Sequence, residues 1–191
     1  MVVLFEGIDT CGKSTQIELL AQKYPQLITT FEPGATQFGK QARAILLADT
    51  IHSKRAELLL FLADRAEHYE EIIKPNSNKS ILSDRGFLSG IGYALANGDF
   101  DFEELMKLNL FALENRLPDK IILFLTDRET LRQRTAEKNL DGIELRGLEY
   151  LMTVQQHMQE SLEKLEIDHL LIDATEPIET IHQKIVSYLE L

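Results

Sequence analysis

Gly7, Gly12, Lys13 and Ser14 stand in the run GIDTCGKST, residues 7–15, at the spacing Gly-x-x-x-x-Gly-Lys-Ser. Those residue types in that order suit the holding of a polyphosphate. Glycines permit tight turns that aim successive backbone N–H groups at phosphate oxygens, and a helix opening at Lys13 adds its N-terminal dipole. The Lys13 ammonium reaches the β/γ-phosphates, and the Ser14 hydroxyl can ligate Mg2+. The chain between them (Ile8, Asp9, Thr10 and Cys11) and Thr15 complete the cradle. Four fixed positions match by chance in roughly one in a hundred chains of this length. The motif also follows an apolar run and precedes a helical pattern, which is the context that confirms a P-loop. A glycine-rich turn with a surface lysine is the bland alternative. One residue resists the simple reading: Asp9 places a carboxylate inside a loop built for anions.

A second set of candidates lies further along. In ELLLFLADRAEHYEE, residues 57–71, the positions Leu58, Phe61, Leu62, Arg65 and Tyr69 share one helical stripe. An arginine on an apolar stripe is costly unless it meets an anion or stacks on a ring. Phe61 and Arg65, four apart, can flank a planar ligand. Equally, Arg65 can pair with an acid such as Glu57 or snorkel to solvent. ILSDRG, residues 81–86, ends an apolar run on Asp84 and Arg85. Asp84 can orient Mg2+ or pair with a base, and Arg85 can clamp a phosphate bidentately or simply bridge to an acid. FEPGATQFGKQAR, residues 31–43, offers Glu32 and Arg43.

The elements that must position these groups alternate. VVLF (2–5), LITTF (27–31), SILS (80–83), KIILFL (120–125) and HLLID (169–173) read as strands covered on both faces. Helices are expected over 13–24, 36–49, 54–74, 87–97, 101–116, 128–138, 144–166 and 177–190, with Thr126-x-x-Glu129 as a capping box. Such alternation predicts a three-layer α/β/α fold with a five-stranded parallel sheet, in a single domain spanning 1–191. Ligands of such sheets bind beyond the carboxyl ends of the strands. Most of the unusual residues fall there, in EGIDTCGKS, EPGAT, DRGFLSG, TDRE and ATEP.

Composition bounds the rest. The net charge of −11 argues against a nucleic-acid partner and makes local arginine clusters more telling. No apolar run reaches the roughly 18 residues that a membrane-spanning helix needs. The start MVVLFEGID lacks a secretory pattern, and a single cysteine suits a reducing cytoplasm. The five histidines, at 52, 68, 157, 169 and 182, show no metal-ligand spacing.

Taken together, these segments resemble the thymidylate (dTMP) kinases within the P-loop nucleoside monophosphate kinases. FEGIDTCGKSTQ is similar to that family's phosphate loop, FEPGAT to its Arg-Glu-Pro-Gly-Gly-Thr segment and LLLFLADRAEH to its Phe-x-Ala-Asp-Arg-Ala helix. SDRGFLSGIGY resembles its Asp-Arg-Tyr segment, and LLIDATEP its last strand and adenine-side loop. The resemblance is collinear over essentially the whole chain. It implies ATP, with Mg2+, as donor and dTMP as acceptor, in a cytoplasmic homodimer. Phe61 would stack on thymine, and Arg65 would contact base or phosphate. Arg43 and Arg85 would hold the dTMP phosphate. Glu32, Pro33 and Tyr93 would lie near the sugar, with Tyr93 disfavouring a ribose 2′-hydroxyl, while Ser89 and Gly90 line the base pocket. Asp9 holds the family's loop-acid position and is expected to face the acceptor, orienting Arg43 or Arg85. Thr175 would sit by the adenine.

Family members without a P-loop arginine supply one from a lid, here read at about 128–146. Arg132 and Arg134 are the favoured catalytic candidates, with Lys138 and Arg146 beside them, and Arg132 could instead stack near adenine. The chain departs from the family pattern at Phe31, Gly86, Glu137-Lys138 and Asp141-Gly142. Other readings are a small P-loop kinase acting on a deoxynucleoside or another nucleoside monophosphate, a nucleotide switch, and a non-catalytic binding module. A switch would need an Asn-Lys-x-Asp motif, which the chain lacks.

Overall fold

The computed structural model describes residues 1–48, 50–136 and 147–191. Five strands form one parallel sheet: β1 (Val2–Glu6), β2 (Ile28–Phe31), β3 (Ile81–Asp84), β4 (Lys120–Leu125) and β5 (Asp168–Asp173). Their order is β2-β3-β1-β4-β5, so β1 is central. Among the described residues eight α-helices accompany them: α1 (Lys13–Lys23), α2 (Gln37–Leu47), α3 (Lys54–His68), α4 (Phe87–Ala96), α5 (Phe102–Ala112), α6 (Arg128–Ala136), α7 (Leu148–Leu162) and α8 (Ile178–Leu189). The predicted alternation and sheet are what the structure contains.

Strand pleating splits the core. Val3 and Phe5 of β1, with Ile122 and Phe124 of β4, face one cluster filled by Ile17 and Leu20 of α1 and by Ile181 and Ile185 of α8. Leu4, Ile121 and Leu123 face the opposite cluster, filled from α3, α4, α5 and α7. Alternate residues therefore bury on opposite faces, as a period of two requires. The nearly continuous apolar runs of β1 and β4 follow from this.

Helix starts show how the sequence sets boundaries. Thr36, Ser53 and Asp101 accept a backbone N–H three residues on and cap α2, α3 and α5. The capping box expected at Thr126 is displaced by one residue. The Asp127 carboxylate accepts the Thr130 N–H at 2.7 Å, while the Thr126 backbone N–H donates to Gln155. Glu129 instead holds Arg132. The helix expected over 54–74 stays α-helical to His68, then passes through a π turn (Tyr69–Ile73) and a 3-10 turn (Lys74–Asn76). By contrast α1 has no side-chain cap, and Gly12 precedes it at φ 95°. Its first N–H groups are left for a ligand.

Register brings the functional turns to one level. Phe5 of β1 and Phe31 of β2 both pair with Asp84, so the turns after β1, β2 and β3 open side by side.

Candidate active site

The phosphate loop is built tightly against the sheet. A side chain on Gly7 would meet the Phe124 carbonyl at 2.7 Å, at a φ of 140° that favours glycine. Ile8 and Cys11 are buried among core residues, so only their backbones can face a phosphate. The Lys13 ammonium folds back onto the carbonyls of Gly7 (3.1 Å) and Ile8 (2.8 Å). The Ser14 hydroxyl donates to Asp84 at 2.6 Å. A hydroxyl and a carboxylate side by side are the hard oxygen donors that Mg2+ prefers, with phosphate and water supplying the remaining ligands. The expected pair, Ser14 and Asp84, therefore fits such an ion. Asp9, Thr10, Gly12, Lys13, Ser14 and Thr15 line a cleft with Phe31, Glu32, Arg43, Asp84 and Arg85.

A second cavity abuts this cleft. Asp9, Glu32, Pro33, Arg43, Phe61, Arg65, Arg85, Ser89, Gly90 and Tyr93 all line it, with an apolar side from Leu46, Leu58 and Phe100. These include every residue expected on the acceptor side. The two spaces share Asp9, Glu32, Arg43 and Arg85.

Asp9 pairs with Arg85, Oδ1 to guanidinium, at 2.9 Å. Tyr93 donates to Asp9 Oδ2 at 3.1 Å. Arg85 also donates to the Gly7 carbonyl (2.9 Å) and to the Ser89 hydroxyl (3.1 Å), and its cation lies 5.6 Å from the centre of the Tyr93 ring. Burial opposes its charge, but Asp9 beside it, with Tyr93 and Asp84, holds its pKa well above the ordinary arginine value. The Tyr93 hydroxyl is held above its usual pKa by burial and stays a donor. Of the two arginines that Asp9 was expected to orient, it meets Arg85. Arg43 donates instead to the Pro33 carbonyl at 3.0 Å.

Arg65 is buried, with 3% of its surface exposed, and is engaged on every side. It donates to Glu32 (2.8 Å), to Asn109 Oδ1 (2.7 Å) and to the Gly86 carbonyl (2.9 Å). Its acid is thus Glu32 and not Glu57, which pairs with Lys54. Burial alone would raise the Glu32 pKa, but Arg65 and His68 bring it below the usual value. The His68 ring bridges Glu32 (2.8 Å) and the Thr30 hydroxyl (2.7 Å).

Four residues that line neither space but brace the site carry no signal in the sequence. His68 and Asn109 hold the Glu32–Arg65 pair. Asp64 accepts the Gly34 N–H at 3.1 Å and so ties α3 to the turn after β2; burial pushes its carboxyl up to about 6. Glu6, wholly buried at the end of β1, accepts the N–H groups of Leu88 and Ser89, each at 3.1 Å, and the Ser89 hydroxyl. Burial raises its pKa to about 7 against the opposing pull of Ser89, Arg85 and Arg65.

On α6 the two expected arginines diverge. Neither lines the two spaces; Arg132 is exposed and held by Glu129 of its own helix. Arg134 donates to the carbonyls of Thr10 (3.2 Å) and Ala174 (2.7 Å), bridging the phosphate loop to the turn that holds Thr175. Lys138, Arg146 and the departures at Glu137-Lys138 and Asp141-Gly142 lie outside the described residues.

The chain is similar to known proteins along its whole length. The chain is 70% identical over 191 residues to a thymidylate kinase of Sulfurovum sp. (strain NBC37-1), covering all of both chains. It is 51% identical over 195 residues to a thymidylate kinase of Campylobacter jejuni subsp. jejuni serotype O:6 (strain 81116 / NCTC 11828), again end to end. A crystal structure of thymidylate kinase from Ehrlichia chaffeensis superimposes with a TM-score of 0.78 at 26% identity, covering 100% of this chain and 98% of that one. With the thymidylate kinase sequence pattern matched over residues 5–185 as well, the chain belongs to the thymidylate kinase family.

Proposed function

We propose that the protein transfers the γ-phosphoryl group of ATP to dTMP, giving dTDP and ADP, with the chain working as one kinase domain in the cytoplasm. The observation that carries this reading is the meeting of the two spaces at Asp9, Glu32, Arg43 and Arg85. One space has the glycine–lysine loop of a triphosphate site. The other has an apolar side and an arginine floor, as a nucleoside monophosphate needs.

An oxygen of the acceptor phosphate attacks the γ-phosphorus in line, and the bond to the β–γ bridging oxygen breaks as ADP leaves. The attacking oxygen is already ionised, so no general base is needed, and positioning and charge neutralisation set the rate. Lys13 leaves the loop carbonyls for the β/γ-phosphates. Ser14 and Asp84 would hold Mg2+, which would supply charge neutralisation on the triphosphate. Arg85, fixed by Asp9 and Gly7, grips the acceptor phosphate, and Arg43 assists. Phe61 stacks on the base beside Arg65, Ser89 and Gly90. Tyr93, bonded to Asp9 and lining the cavity with Pro33 and Glu32, borders the sugar and disfavours a 2′-hydroxyl. The backbone of Ile8, Thr10, Cys11 and Gly12, with Thr15, cradles the donor phosphates, and Thr175 borders the adenine. Support for a homodimer comes from Leu59 on α3 and Phe111 on α5, 59% and 86% exposed.

The test is ADP formation with dTMP, dUMP, UMP, CMP or thymidine as acceptor. The expected order places dTMP first, with UMP and thymidine near background. Absence of dTMP-dependent turnover overturns the reading. Arg134, poised over the loop, is assigned the transition-state charge. Arg134→Ala should lower kcat by about 100-fold with little change in dTMP KM, whereas Arg132→Ala should stay within about two-fold. Equal, mild effects would shift that role to Lys13 and the metal.

A further inference from the structure

Glu6 borders neither the donor cleft nor the acceptor cavity. It sits beneath them, and it does two things at once. First, it caps α4. The opening N–H groups of a helix have no partner within it, and those of Leu88 and Ser89 reach separate oxygens of Glu6, 82 and 83 residues away in sequence. Helices α2, α3 and α5 take their caps from the adjoining residue, whereas α4 takes its cap from the central strand. Second, Glu6 receives the hydroxyl of Ser89. A hydroxyl has one proton and two lone pairs. With the proton directed at Glu6, Ser89 can only accept from Arg85, whose guanidinium lies 3.1 Å away.

We propose that Glu6 is a positioning residue for the acceptor phosphate: as a carboxylate it turns a Ser89 lone pair toward Arg85 and so fixes the guanidinium between the Gly7 carbonyl and Asp9. This rests on the reading of Arg85 as the phosphate clamp.

The arrangement depends on the ionisation of Glu6. Facing it are Ser89 from α4, Arg85 from the turn after β3, Arg65 from α3 and Glu32 from the turn after β2; burial outweighs the attraction of the arginines and places its carboxyl at about 7. A protonated Glu6 must itself donate, and the Ser89 oxygen is the acceptor at hand. The hydroxyl then reverses, its own proton swings off, and Arg85 loses a nearby negative charge. Capture of dTMP therefore weakens as pH falls through about 7. This loss adds to that from the substrate phosphate, whose second ionisation lies near 6.

The experiment measures initial rates against dTMP and against ATP, from about pH 6 to 9, for the full-length protein and for Glu6→Gln, Ser89→Ala, the double variant and Arg85→Lys. Glu6→Gln is expected to raise the dTMP KM by about ten-fold and to leave the ATP KM within about two-fold. The acid limb near 7 should vanish from kcat/KM for dTMP, leaving that of the substrate. The double variant should be no worse than the worse single one, because both act through one hydroxyl. Two outcomes overturn the proposal: an unchanged acid limb in Glu6→Gln, or equal shifts in both KM values, which would make Glu6 a helix cap alone. Should Glu6→Gln fail to fold, Ser89→Ala decides, since it keeps both backbone caps: the limb should shrink there, and a limb of undiminished size also overturns the proposal. Arg85→Lys separates the two readings. If it leaves the dTMP KM unchanged, the phosphate-clamp reading falls; if it raises that KM while Glu6→Gln does not, only the role of Glu6 falls.

Discussion

Replacing Arg85 with alanine is expected to lower kcat/KM for dTMP by about a thousand-fold while the KM for ATP stays within about three-fold. Two losses combine. The acceptor phosphate loses a forked, charged donor in a partly buried site, where such contacts are worth several kcal/mol. Asp9 loses the cation that neutralises it at 2.9 Å, and its negative charge, which the neutral Tyr93 hydroxyl does not cancel, then faces two phosphates. The second loss can be read separately. Adding Asp9→Asn to Arg85→Ala should recover part of the deficit, whereas Asp9→Asn alone should raise the dTMP KM by about ten-fold. Alanine is the right probe because Arg85 sits at φ 69°, a left-handed conformation. Alanine meets the same backbone cost there as arginine, whereas glycine would also relax the chain. Equal loss toward ATP and dTMP, or an Asp9→Asn enzyme with unaltered kcat and dTMP KM, would remove the loop acid from the acceptor side.

The largest effect on stability should come from Arg65→Ala. Arg65 and Glu32 are 3% and 8% exposed, and removing one member of a buried pair typically costs about 3–5 kcal/mol. For a chain of this size that corresponds to a fall in Tm of roughly 10 °C. Asn109 and the Gly86 carbonyl also lose their donor. Adding Glu32→Gln should restore a measurable part of the loss, because the stranded charge goes with it. The check is thermal and denaturant unfolding of the single and double variants. A drop below about 1 kcal/mol would mean that water or His68 compensates fully.

Local chemistry explains what the sequence revealed. The phosphate loop is a contiguous pattern, and β1 and β4 are apolar on consecutive residues because helices cover both sheet faces. The acceptor side was harder. Phe61 and Arg65 marked themselves as a ring and a cation on one stripe, but the partner of Arg65 lay 33 positions away at Glu32, not in its own helix. Glu6 gave no local signal at all. A lone glutamate after VVLF reads as the end of a strand, and its three donors belong to a helix 82 or more positions later. Asp64, between an alanine and an arginine, looks equally like a solvated helix residue until Gly34 is seen beside it. The capping box slipped by one because Thr126 and Asp127 are both competent caps and α7, through Gln155, claims the first. Arg132 and Arg134 were indistinguishable by type. Only the direction in which each leaves α6 separates them.

The pairing of each deep guanidinium with its own carboxylate, Arg85 with Asp9 and Arg65 with Glu32, has a consequence for turnover. A floor of bare cations would draw any polyanion from solution and release it slowly. Here the charges nearly balance before a nucleotide arrives, so little field extends beyond the site into an already acidic protein. Recognition then rests on direction and distance at contact rather than on long-range pull. Capture of dTMP should accordingly change little with ionic strength, and dTDP, which carries more charge than the substrate it came from, can leave without escaping a deep electrostatic well.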